Sequence, residues 1–175
     1  MKNILLIFTL LFISCDSDDP VSPGSEETFD YTYNLEDLNP TSSYYQEYVG
    51  PASFPNQITI HYFGHFTWGT CASLYGQLNA LYENLLLNNV TQIKLIGIGK
   101  ESQISSIGNW TATNDAIVCA DANNTTWSNW GASQRDLFIL DHEGNVQFNQ
   151  NISSGISGLN LESLITELAN LIPSN

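Results

Sequence analysis

The sequence predicts an α/β domain with a mixed central sheet and helices on both faces. Three observations lead there. Short apolar, β-branched runs recur at Ile58–Phe63, Gln92–Ile98, Ala116–Cys119 and Leu137–Leu140. Between the first two, Leu74, Leu78, Leu81 and Leu85 recur at steps of four, three and four, which is one face of an α-helix. The fourth run meets the turn Asp141-His142-Glu143-Gly144-Asn145 and a partner run at Val146-Gln147-Phe148, a hairpin.

Taken in order, the elements justify that class. Lys2 followed by the apolar run Ile4–Ile13 is a targeting segment, too short to span a bilayer. It ends in Phe12-Ile13-Ser14-Cys15, which resembles a bacterial lipobox. That resemblance implies removal of residues 1–14 and lipidation of Cys15, so the membrane partner is reached through acyl chains. Residues 15–30 are rich in Asp, Glu, Ser, Pro and Gly and read as a flexible acidic tether. The opening Asp16-Ser17-Asp18-Asp19 resembles an inner-membrane retention signal of some bacteria and a surface-export signal of others. Both stay open, within a bacterial cell envelope.

Residues 31–175 form the domain. Tyr31 to Pro55 carries Tyr31, Tyr33, Tyr44, Tyr45, Tyr48 and Phe54, broken by Pro40, Gly50 and Pro51. It reads as an irregular arm laying aromatics on the domain edge. Ile58–Phe63 is apolar at nearly every position, as expected of a central strand covered on two faces. The helix that follows ends near Asn88-Asn89, a C-cap signal. Strand, helix and strand in this spacing predict a crossover and parallel pairing. A short helix over Ser102–Trp110, with Ile104 and Ile107 as its apolar side, leads to the third strand. Asn123–Ser133 is loop or a single helical turn. Leu161, Leu164, Ile165, Leu168 and Ile172 form the face of a last helix, stopped by Pro173.

Charge excludes one class of function. Asp and Glu number 18 against 4 Lys and Arg, a net charge of −14. Such a chain repels phosphate backbones and anionic lipid surfaces, so no nucleic-acid partner is expected. Beyond Lys2 the cations are Lys94, Lys100 and Arg135, which form no patch by sequence.

This order of elements is that of the thioredoxin-like fold, with a short helix and strand inserted before the hairpin. HYFGHFTWGTCASLYGQLNALYENL, then QIKLIGIG, AIVCAD, TTWSNWGASQRDLFILDHEGNV and a terminal helix resemble the thioredoxin-like domain of selenoprotein P and its bacterial relatives. The upstream DLNPTSSYY resembles their lead-in. The resemblance implies a redox role and places a selenocysteine or cysteine three residues before a cysteine at the helix start. Here the second position is Cys71 and the first is Trp68. Thioredoxins also place a cis-proline before the strand matching Leu137–Leu140; this chain has Gln134-Arg135-Asp136 there.

The candidate site is therefore Cys71 as reactive sulfur, His65 as its neighbour and Trp68 shaping the pocket. A helix N-terminus favours a thiolate, which is the nucleophile of disulfide exchange. The alternative is a core cysteine in a binding module that kept the fold and lost the pair. His65 is a base for the thiol or, more simply, a hydrogen-bonding group that orders the loop. A protein thiol partner belongs to the first reading only.

A disulfide between Cys71 and Cys119 is left open. Exported proteins favour pairing of their last two thiols. Strands in sequence order would separate the two by two spacings, about 9–10 Å, where a disulfide wants Cα atoms within about 7 Å. His61, His65, Cys71 and Cys119 lack the tight spacing of a metal site, so no metal or other cofactor is expected. The Asp141–Asn145 stretch echoes a calcium loop, and turn chemistry explains it.

Overall fold

The computed structural model describes residues 31–112 and 114–173. Residues 1–30 lie outside that range, and with them the leader, Cys15 and the tether. In chain order come β1 (Leu35–Glu36), β2 (Tyr48–Val49), β3 (Ile58–Phe63), α1 (Gly69–Leu87) and β4 (Ile93–Lys100). Then follow α2 (Gly108–Thr111), β5 (Ile117–Asp121), α3 (Thr125–Asn129), β6 (Asp136–Leu140), β7 (Val146–Asn151) and α4 (Leu161–Asn170).

The main sheet has five strands in the order β5-β4-β3-β6-β7. β3 is central. It pairs parallel with β4, from Ile58 opposite Ile93 to Phe63 opposite Ile98, and antiparallel with β6. All six residues of β3 are buried, which accounts for its unbroken apolar reading. β5 pairs parallel with β4, and β7 antiparallel with β6.

The pleat sorts side chains into two layers. Ile58, Ile60 and Tyr62 join α1, α2 and α4 in the first, with Leu74, Leu78, Leu85, Trp110 and Ile165. Phe63, Ile96, Ile98, Ile117 and Phe138 join Val49, Phe54, Trp127 and Trp130 in the second. Each buried leucine of α1 removes enough apolar surface from water to contribute about 1.5–3 kcal/mol. α1 closes as its Asn88-Asn89 signal predicts. Asn89 is left-handed (φ 65°), its N–H donates to Leu86 O, and Val90 N–H donates to Leu85 O. Those two bonds satisfy carbonyls that a bare helix end would leave unpaired.

Two glycines of β4 shape the first layer. A Cβ on Gly97 would lie 2.7 Å from the Tyr75 ring, and one on Gly99 2.2 Å from Phe66. The missing side chains are the space those rings fill. The helix predicted over Ser102–Trp110 is a 3-10 stretch, Glu101–Ser106, followed by α2. Ile104 is exposed, and Trp110 is the residue that anchors the segment. β4 and β5 run two residues past their apolar runs, because backbone pairing continues to Lys100 opposite Asp121.

The arm lies over the second layer and the β5 edge. Leu38 N–H donates to Val118 O. The Asp37 carboxylate accepts from the N–H groups of Asn39 and Val118. Asn39 donates to the carbonyls of Asn114 and Ala116. The Asp141 carboxylate organises the hairpin turn by accepting from Glu143 N, Asn145 N and Gln147 Nε2. Among the described residues no helix is long and apolar enough to cross a membrane.

Candidate functional site

The carboxyl ends of the parallel strands β3, β4 and β5 meet at one edge of the sheet. In open α/β sheets this is where ligands bind. β3 leads into the loop Gly64–Thr70 and then α1; β4 ends at Lys100; the turn after β5 carries Trp127. Because β6 runs antiparallel to β3, its start comes to the same edge. Arg135 is left-handed (φ 72°); its N–H donates to Phe63 O and its carbonyl accepts from Ile152 N. Gln134 and Arg135 therefore border the loop. No cis peptide bond occurs among the described residues.

α1 begins with Trp68 as its N-cap, in extended conformation and with no side-chain cap. Cys71 is its third residue. Trp68 turns outward, 48% exposed, while Cys71 is 0% exposed within the first layer. The place where the family puts the attacking atom is thus accessible and holds an indole. The sulfur present is the inner one. Its Sγ accepts from Gln134 Nε2 at 3.3 Å. The Tyr62 hydroxyl lies beside it, and that phenol is pushed up by burial and by Cys71, with Arg135 opposing.

His65 makes no hydrogen bond to Cys71 among the described residues. Its ring forms no hydrogen bond among the described residues, so the loop-ordering bond expected of it is absent; Asn109 Nδ2 holds the loop instead, donating to Phe66 O at 2.8 Å. The His65 ring sits between Trp68 (5.5 Å) and Trp127 (5.8 Å). Burial lowers its pKa, and the nearby charges of Lys100 and Arg135 lower it further. Lys100 Nζ covers Trp127 at 4.5 Å, and the Arg135 guanidinium covers Trp68 at 5.7 Å.

The Cys71–Cys119 pairing that the sequence left open is absent from the structure. Cys71 and Cys119 are both free and buried. They occupy different layers of the sheet, so the β4 backbone separates them and no disulfide forms. Burial, Asp37 and Glu36 push the Cys119 thiol up, which makes it a still poorer nucleophile. His61 also faces the second layer, where its Nδ1 meets the Tyr33 hydroxyl at 2.8 Å, so the four imagined metal ligands do not converge. Finally, Lys100 and Arg135 are brought to one edge, although the sequence separates them.

The residues that sequence reasoning missed as site members are Gln134, Arg135, Lys100 and Trp127. Lys100 had one readable signal, its place at the end of a parallel strand next to the central one. Two hollows among the described residues lie elsewhere: one of about 660 Å³ beside the start of α4, one of about 500 Å³ between the arm and the hairpin turn.

No family model and no curated protein matches this chain. Solved structures do. A thiol:disulfide interchange protein of the thioredoxin family from Chlorobium tepidum TLS is 13% identical with a TM-score of 0.63, covering 84% of this chain and 99% of that one. A secreted Mycobacterium tuberculosis disulfide oxidoreductase homologous to E. coli DsbE is 13% identical with a TM-score of 0.56, covering 79% and 96%. The mitochondrial 2-Cys peroxiredoxin from Plasmodium falciparum is 20% identical with a TM-score of 0.60, covering 82% and 92%. At these identities the likeness is one of architecture. The described chain has a thioredoxin-like fold.

Proposed function

We propose that this protein is a cell-envelope lipoprotein, anchored through Cys15, whose thioredoxin-like domain of the selenoprotein P type binds a partner without exchanging disulfides. The observation that carries the reading is the pairing at the start of α1: a fully buried Cys71 behind an exposed Trp68. Disulfide exchange needs an attacking thiolate and a second thiol to release the mixed disulfide. Trp68 has no ionisable sulfur, and Cys119 sits in the other layer of the sheet. What remains at this edge is the exposed Trp68 with the half-buried His65, Lys100 and Arg135 around it, which suits binding.

An insulin-reduction assay with dithiothreitol tests this. Wild type runs near background, Cys71→Ser matches it, and Trp68→Cys gains turnover. Robust wild-type turnover that disappears in Cys71→Ser would overturn the reading. The anchor is tested by the mass of the mature N-terminus: an unmodified Cys15, or cleavage elsewhere, removes it. The envelope location draws support from the leader and from the secreted neighbour among the solved structures.

A second reading rests on the Gln134 amide and the Tyr62 hydroxyl at Cys71. Both could donate to an oxidised or ionised sulfur, which favours a one-cysteine redox role with an outside thiol as resolving partner.

A further inference from the structure

Five side chains at the carboxyl edge of the sheet form a row: Lys100, Trp127, His65, Trp68 and Arg135. Successive members are 4.5, 5.8, 5.5 and 5.7 Å apart. A cation closes each end. These are two of the three cations in the described chain, which carries 18 carboxylates along its full length. Neither forms an ion pair among the described residues. Arg135 makes one side-chain hydrogen bond, from Nη1 to Ser153 Oγ, and its Nε is buried without a partner. A cation over an indole gains about 0.5–1 kcal/mol at an exposed site, less than a charge-assisted bond to a carboxylate offers. Asp121 stands opposite Lys100 in the sheet and Asp136 follows Arg135, but both cations lie over indole rings rather than on a carboxylate. The start of α1, which has no side-chain cap, adds its own partial positive charge beside Trp68.

We infer that this row binds the carboxylates of an extended acidic segment of a partner polypeptide, not of this chain. The inference deepens the binding reading above by naming the chemistry of the partner. Guanidinium and ammonium groups call for anions, and Trp68 offers an exposed apolar face between them. Trp68 stands 48% exposed, and the hollows of about 660 and 500 Å³ are lined by other residues. Small molecules are held in concave sites, whereas two cations flanking the exposed ring of Trp68 suit a segment lying across the surface. The net charge of −14 opposes an acidic partner at long range. At physiological salt the screening length is about 8 Å, so remote carboxylates fade while contacts within the row persist.

The test uses ¹⁵N-labelled chain from Asp16 onward, which contains every described element, at physiological salt. The probe is a blocked hexapeptide with three glutamates; its control carries glutamines instead. The Trp68 indole N–H and the Arg135 Nε–H should shift saturably with the glutamate peptide only. Arg135→Gln and Lys100→Gln should each weaken binding roughly fivefold or more. Lys94→Gln should leave it unchanged, since Lys94 Nζ sits over Tyr44 at 5.1 Å, against the arm. Three results would overturn the inference: no saturable shift up to millimolar peptide, equal shifts with the glutamine peptide, or an equal loss in Lys94→Gln. Binding that emerges only after Asp18, Asp19, Glu26 and Glu27 are neutralised would overturn it too, in favour of the chain's own tether as occupant. Insulin turnover is measured separately, so failure of the redox-inactive reading and failure of this one are distinguishable.

Discussion

On one face of the sheet, α1, α2 and α4 lay apolar stripes over Ile60, Tyr62, Leu95 and Val118. On the other, the cover is largely the irregular arm and the single turn of α3, over Phe63, Ile98 and Phe138. The two coverings differ in what they do with polar backbone. A helix satisfies its own N–H and C=O groups and can present hydrocarbon alone. An arm without regular structure brings backbone groups that need partners. Buried polar side chains supply them here: Asp37 for Asn39 N and Val118 N, and Asn39 for Asn114 O and Ala116 O. The second face also holds His61 against the Tyr33 hydroxyl. It should therefore fail through its polar groups, and the first through its packing.

The largest effect is expected at Trp110. Its ring stacks on Tyr75 at 4.8 Å, meets Phe66 edge-on at 5.0 Å and lies 5.5 Å from Tyr62. Trp110→Ala should cost about 3–5 kcal/mol, the range for truncating a buried aromatic, read as a lower denaturation midpoint. A loss well under 2 kcal/mol would show that the helices collapse onto the gap, and that the first face is not held by packing.

A smaller effect, in the pH dependence, should expose the second face. Burial lowers the His61 pKa to about 3. Between its ordinary value of about 6.5 and that value, the unfolded imidazole takes a proton that the folded one refuses. Stability is thus undiminished above pH 6.5 and is lost as pH falls toward 3. From well above pH 6.5 down to 5 the loss is about 2 kcal/mol, the slope approaching roughly 1.4 kcal/mol for each pH unit. The chain's carboxylates add their own slope, so the measurement is the difference between wild type and His61→Gln. That difference should be constant above pH 7, and below 6 wild type should lose stability relative to the variant. Parallel profiles would mean that His61 accepts its proton in the folded state at an ordinary pH, and that the second face tolerates charge.

The sheet was largely legible because its signals are local. Runs of β-branched residues, leucines at helical spacing and the Asn88-Asn89 cap each depend on near neighbours, and all three reappear where the sequence puts them. The short helix before β5 was read less well. Its apolar side was assigned to Ile104 and Ile107, whereas the space above Gly97 called for the ring of Trp110. No local pattern encodes that complementarity between β4 and α2.

Of the candidate site, the sequence by itself determined the composition at the helix start: Trp68 three residues before Cys71, Cys71 at the beginning of the helix, and no proline among Gln134-Arg135-Asp136. Strand propensity and helical period suffice for that, since both act over a few residues. Only the tertiary structure decided who meets whom. It separated Cys71 from Cys119, because α1 covers one face of the sheet and the pleat turns Cys119 of β5 toward the other. It turned Gln134 rather than His65 toward the Cys71 sulfur. It brought Lys100 and Arg135 to one edge, because a parallel strand and an antiparallel one bring opposite ends to the same edge.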